Sequence, residues 1–173
     1  FTSWADDVDL LPPSTHLMGV GAPSFELFRR DGQPLVMLGG RSYYNQTWPE
    51  DHDIAEGISR QAAQQQLGQH VPDVRMEDVP FMVGIIHTGL QWDKKKAPTT
   101  EADLMARGVD YWACGHLHRR LVLPTRENPR IVFPGCIQGR TIQETGARGC
   151  FQVTLTADDE NGEGAAQAPH ART

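Results

Sequence analysis

The stretch Val109-Asp110-Tyr111-Trp112-Ala113-Cys114-Gly115-His116-Leu117-His118 decides how the chain is read. Its first six residues alternate and are aromatic, which predicts a strand. Gly115 gives the backbone room to turn as it leaves that strand. Beyond it stand two histidines at i and i+2, which in extended backbone point to one side with Cα atoms roughly 6–7 Å apart. That spread suits two metal ions about 3.5–4 Å apart in a phosphoryl-transfer site. Imidazole is a good ligand for Mn, Fe or Zn. A third histidine, His87, directly follows Phe81–Ile86 (FMVGII), a continuous apolar run after Pro80 that predicts a buried strand.

Working outward, His16–Val20 has short strand-like character. Ser24–Arg29 and Pro34–Leu38, separated by an Asp31-Gly32 turn, predict a hairpin. Asp51, with Asp53 behind it, opens a stretch to Leu67 that suits a surface helix with Ile54, Ile58, Ala62 and Gln65 on one face and Gly68 as its stop. Thr100 with Asp103 forms a capping box for a helix reaching Arg107, stopped by Gly108. Leu121–Leu123, Ile131–Phe133 and Cys150–Leu155 read as three further strands between Pro and Gly turns. A strand, a short helix and then several strands make a mixed α/β layer arrangement. Residues 157–173 lack periodicity and read as a polar linker or tail, leaving 1–156 as the folded unit. The chain opens at Phe1 without Met, and both ends read as cut from something larger.

Composition narrows the classes. With 173 residues, 39% of them apolar, the chain can bury a core as one domain. No apolar run approaches the ~20 residues of a spanning helix and no signal pattern is visible, so no membrane is expected. Three cysteines (Cys114, Cys136, Cys150) are too few for a disulfide scaffold, which points to a reducing, cytoplasmic setting. The net charge of -6 hides a basic segment: residues 87–150 carry 10 Lys/Arg against 6 Asp/Glu. Such a segment can face a polyanion, although Lys94–Lys96 and Arg119-Arg120 are equally what a solvated surface carries. There is no G-x-G-x-x-G, G-x-x-x-x-G-K, G-x-S-x-G or C-x-x-C. His16, His52, His70 and His170 read as surface histidines. Trp48, Trp92 and Trp112 could stack on bases, with core packing the better role for Trp112.

By spacing alone the metal reading stays open. A histidine after a strand is more often a hydrogen-bonded structural residue, and no Asp or Glu stands at a ligand spacing beside His116 or His118. The wider set is more specific. Ile85-Ile86-His87-Thr88-Gly89-Leu90, then Asp110–Arg119, then Ile131-Val132-Phe133-Pro134-Gly135, then Glu144-Thr145-Gly146-Ala147-Arg148-Gly149-Cys150 occur in that order. Together they resemble the C-terminal half of the calcineurin-like metallophosphoesterases, in particular the SbcD-type DNA-repair exonuclease branch and its YhaO-like group. Gly39-Gly40-Arg41-Ser42 fits the pattern more loosely, and the likeness covers roughly residues 35 to 156.

That resemblance implies part of a four-layer αββα sandwich with mixed sheets and two divalent metal ions at the strand ends. Mn is the ion it favours, with Fe, Zn and Mg as alternatives. His87 and His116 would ligate one ion and His118 the other, with Arg119 near the phosphate path. It implies a DNA-repair exonuclease as the parent protein, hydrolysing phosphodiester bonds with a metal-bound hydroxide, and an SMC-like ATPase subunit as partner. A phosphatase or small-molecule phosphodiesterase, or an inactive accessory half-domain, is the alternative. The family's D-x-H, G-D and G-N-H motifs are absent here, so no catalytic leaving-group histidine stands in this chain. The isolated chain is expected to be inactive without the missing N-terminal half of its own domain.

Overall fold

A computed structural model describes residues 12–42, 49, 52–93 and 95–156, and the backbone of 165–167. Phe1, Tyr43, Tyr44, Asn45, Trp48, Asp51, Lys94, Asn161 and His170 lie outside the described residues, as does most of the 157–173 tail.

The Asp-Gly turn closes the predicted hairpin, β1 (Ser24–Arg30) against β2 (Gln33–Gly40), with Phe25 opposite Gly39 and Leu27 opposite Met37. The chain then crosses through α1 (Arg60–His70) to β3 (Phe81–His87), and through α2 (Glu101–Ala106) to β4 (Tyr111–Gly115). A second hairpin, β5 (Leu121–Pro124) and β6 (Pro129–Phe133), follows. These strands form one six-stranded sheet in the order β1-β2-β3-β4-β6-β5. Its inner strands β2, β3, β4 and β6 run parallel, and the edge strands β1 and β5 are antiparallel to their neighbours. The architecture is α/β with a mixed sheet, as expected. Two short strands, β7 (Thr154–Thr156) and β8 (Ala165–Gln167), pair separately.

Alternation along the strands sorts their side chains onto two faces. Met37, Met82, Ile86, Trp112, Cys114, Ile131 and Phe133 share one buried cluster with Ala63 and Leu67 of α1 and Leu104 of α2. The Trp112 indole donates from Nε1 to the Leu104 carbonyl at 3.1 Å, tying α2 to the centre of the sheet. Asp110 ties the same region to α1: its carboxylate accepts from Arg60 Nη2 and from the Met82 amide, both at 2.7 Å. The opposite face carries Phe28, Val36, Leu38, Phe81, Val83 and Ile85, of which Phe28 is 42% and Ile85 36% exposed.

Several expectations are corrected. β3 is buried on one face only. The helix expected over Asp51–Leu67 starts at Arg60 and runs through Gly68 to His70. Asp53 folds back in a turn, accepting from the Ala55 amide at 2.9 Å and pairing with Arg107, while Ser59 caps the helix by accepting from the Ala62 amide. Ile54 and Ile58 are buried in the turns before the helix, and the helix itself buries Ala63 and Leu67, not Ala62 and Gln65. His16–Val20 forms no strand, and of Cys150–Leu155 only residues 154–155 do. The tail contributes β8, contrary to its reading as structureless. The Thr100 cap is as expected, accepting from the Asp103 amide at 3.1 Å.

Candidate metal centre

The parallel strands β3 and β4 end side by side, with His87 paired in register to Gly115. A Cβ on Gly115 would lie 2.9 Å from His87 Nδ1, so only glycine lets the imidazole lie against the neighbouring strand. His116 follows with φ +103°, a left-handed backbone conformation that a side chain other than glycine adopts at a cost. Its ring meets that of His87 edge-on, with centroids 5.3 Å apart and planes at 75°. Ligand sites at the carboxyl ends of parallel strands are the general pattern of such sheets.

The loop after β3 is built around Thr88. Its buried hydroxyl donates to the Ala97 carbonyl at 2.6 Å and accepts from the Leu90 amide at 2.8 Å. That closure brings Asp93 to the site, with Oδ2 3.6 Å from His116 Nε2. Burial, then the neighbouring His116 and His118, then Lys96 lower the pKa of His87. Its imidazole is therefore neutral at pH 7, the form that can ligate a cation.

His118 lies on the other side of the turn and is partly exposed. Its Nδ1 is 2.7 Å from Glu144 Oε1. The other oxygen of Glu144 accepts from the Arg140 amide at 2.7 Å and from the Cys136 thiol at 3.7 Å. Arg140's amide and the His118 hydrogen bond hold the Glu144 carboxyl down to about 2. Arg148 closes the cluster, donating from Nη1 to the His118 carbonyl and to Cys136 Sγ, the latter at 3.1 Å. One ligand atom from each of His118, Cys136 and Glu144 falls within 4.8 Å of the others. The same residues, with His116, Arg119, Arg120 and Arg148, line an open cavity of about 470 Å³.

Three imidazoles and two carboxylates, Asp93 and Glu144, thus converge at one end of the sheet. This donor set fits Mn, Fe or Zn. The sequence reading missed both carboxylates, because Asp93 and Glu144 reach their histidines from loops 23 and 26 residues away. Glu144 stood within a quoted motif, but nothing in its spacing pointed to His118. Arg119 is exposed at the cavity rim. His16, His52 and His70 are exposed, as expected, and His16 pairs with Glu26. Cys114 is buried as a core residue, and Trp92 is 53% exposed. Among the described residues no helix is long and apolar enough to cross a membrane.

The chain is 32% identical over 151 residues to the uncharacterized metallophosphoesterase YhaO of Bacillus subtilis (strain 168). The matched part is 86% of this chain and 33% of YhaO, so the chain spans about a third of the length of the curated relative it matches. No family model matches the chain.

Proposed function

With the metallophosphoesterase superfamily supported by that relative, we propose that this chain supplies the histidine side of a metal-dependent phosphodiesterase centre whose parent protein acts on DNA. One observation carries the reading. His87 and His116 meet at 5.3 Å across the ends of adjacent parallel strands, beside His118 and two carboxylates. In this reading His87 and His116 hold one divalent cation and His118 the other. Such cations offset the charge of a phosphoryl group and polarise its oxygens. Neutral His87 offers its lone pair without first losing a proton. His116 is presented to His87 by the left-handed turn after β4, with Asp93 beside its Nε2.

Arg119, Arg120 and Arg148 surround the cavity beside His118 and give it the positive potential that a phosphate backbone needs. DNA is the substrate this favours, in a cytoplasmic repair setting, with Mn as the ion and an SMC-like ATPase as partner. The catalytic leaving-group histidine and the remaining ligands belong to a segment preceding this one, so the 173 residues alone are inactive.

The test compares this chain with a version extended upstream, each assayed for bound metal and for Mn-stimulated hydrolysis of bis-p-nitrophenyl phosphate, p-nitrophenyl phosphate and end-labelled DNA. Diester and DNA cleavage only in the extended form, abolished by His116→Ala, is the expected result. Hydrolysis of the monoester alone would make the protein a phosphatase. Bound metal and activity absent from both forms would leave the histidines structural.

A further inference from the structure

Glu144 lines the cavity and is only 20% exposed, and four separate groups converge on it or on its immediate partners. A carboxylate has no hydrogen to donate, so the 2.7 Å contact between Glu144 Oε1 and His118 Nδ1 requires the hydrogen to sit on Nδ1. In a neutral ring the other nitrogen is then bare. We propose that Glu144 is a positioning residue that locks His118 in the Nδ1–H tautomer and one ring orientation, leaving Nε2 as the nitrogen offered to a divalent cation. The inference rests on the reading of His118 as a ligand and adds to it which nitrogen binds and what fixes it.

The surroundings of Glu144 suit that role better than simple loop packing. Its second oxygen is anchored by the Arg140 amide, so the carboxylate cannot swing away from the imidazole without losing a charge-assisted hydrogen bond. Its own amide donates to the Thr141 carbonyl at 3.1 Å, which fixes the backbone that carries it. Arg148 meanwhile holds the His118 carbonyl and Cys136 together, so the main chain of His118 is clamped from the same loop. The ring is thus held at Nδ1 and the backbone at the carbonyl, and Nε2 is the ring nitrogen without such an anchor among the described residues. Outer partners of this kind are worth about 10–100-fold in metal affinity when they orient a histidine.

The tautomer can be read directly by long-range 1H–15N NMR of the metal-free protein labelled with 15N at histidine. His118 is expected as the Nδ1–H form. Glu144→Gln keeps an acceptor oxygen and retains that form, whereas Glu144→Ala turns His118 to the Nε2–H form and leaves the His116 signals unchanged. Zn2+ titration then shifts His118 Nε2 in the wild type, with affinity falling about 10–100-fold in Glu144→Ala. An Nε2–H tautomer in the wild type, or equal affinity in Glu144→Ala, overturns the role of Glu144 while His118 remains a ligand. A Zn2+ shift at Nδ1, lost in Cys136→Ser, overturns it too and makes Glu144 a ligand beside His118 and Cys136. If Zn2+ shifts no histidine nitrogen in the wild type, it is the ligand reading itself that falls. Unchanged His116 signals show that each variant has kept the fold.

Discussion

At the scale of single residues, burial decides chemistry more than residue type does. Two of the three cysteines make the point. Burial pushes the Cys114 thiol well above its usual range, while Cys150 is exposed. Only the thiolate reacts at a useful rate, so iodoacetamide at pH 8 is expected to label Cys150 in the folded protein and Cys114 only after unfolding. Mass spectrometry of the labelled protein reads both sites, and rapid labelling of Cys114 would show that β4 is not packed as described. Tyr111 gives the corresponding pH dependence. Burial pushes its phenol up to about 12, with Cys114 adding to the shift. The unfolded chain loses that proton near pH 10, so the folded form holds it over the window between about 10 and 12. Stability contributed by the neutral ring is complete below pH 10 and is lost as pH rises through 12. Denaturation of wild type and Tyr111→Phe at pH 8, 10 and 11 is expected to show a steeper fall for the wild type, and parallel falls would contradict the shift. Legibility at this scale divides along the same line. His87, His116 and His118 stand out because strand ends and an i, i+2 spacing are local signals. Asp93 and Glu144 do not, because their positions depend on where two loops close.

At the scale of elements, the sheet is fitted to one large side chain. Gly84 stands opposite Trp112 on adjacent strands, and the indole lies where a Cβ on Gly84 would be. Trp112 is fully buried and anchored to the Leu104 carbonyl, so it cannot yield. Gly84→Ala is therefore expected to cost about 1–3 kcal/mol by overpacking, although alanine is otherwise the better strand residue. Urea denaturation measures it. A loss smaller than about 0.5 kcal/mol would mean that the indole has room to move. The strand run FMVGII was legible as a strand because its apolar side chains are continuous. Its one-sided burial was not, since continuity alone does not reveal what covers each face. The start of α1 was misread for a related reason. Ile54, Ile58 and Ala62 follow a helical period, but Asp53 and Ser59 each bind a nearby amide and divide the stretch into turns and a later helix. Propensity gave way to two local hydrogen bonds.

At the scale of the whole molecule, the two faces of the sheet are unequal. Helices α1 and α2 cover the face that carries Trp112, whereas Phe28 and Ile85 remain exposed on the other, with Val36, Leu38, Phe81 and Val83 half-buried between them. The α/β class was legible from helices alternating with short strands, whereas the strand order emerges only from the structure. The imbalance between faces emerges only from the assembled register. The His87 end of the same face opens into the depression lined by Met18, Ile85 and Gly115, so the uncovered surface and the proposed metal centre are continuous. Adjoining apolar side chains of this size in water favour association, because joining two such faces removes apolar area from solvent. The chain by itself is expected to self-associate as its concentration rises. Sedimentation velocity is expected to show that behaviour in the wild type and a monomer in the Phe28→Lys/Ile85→Lys double variant. Both positions are on the surface, so the pair is expected to change folding stability by no more than about 0.5 kcal/mol each. A wild type that stays monomeric across the concentration range would mean that this face is covered by the chain itself, and the depression beside His87 would then be closed from that side.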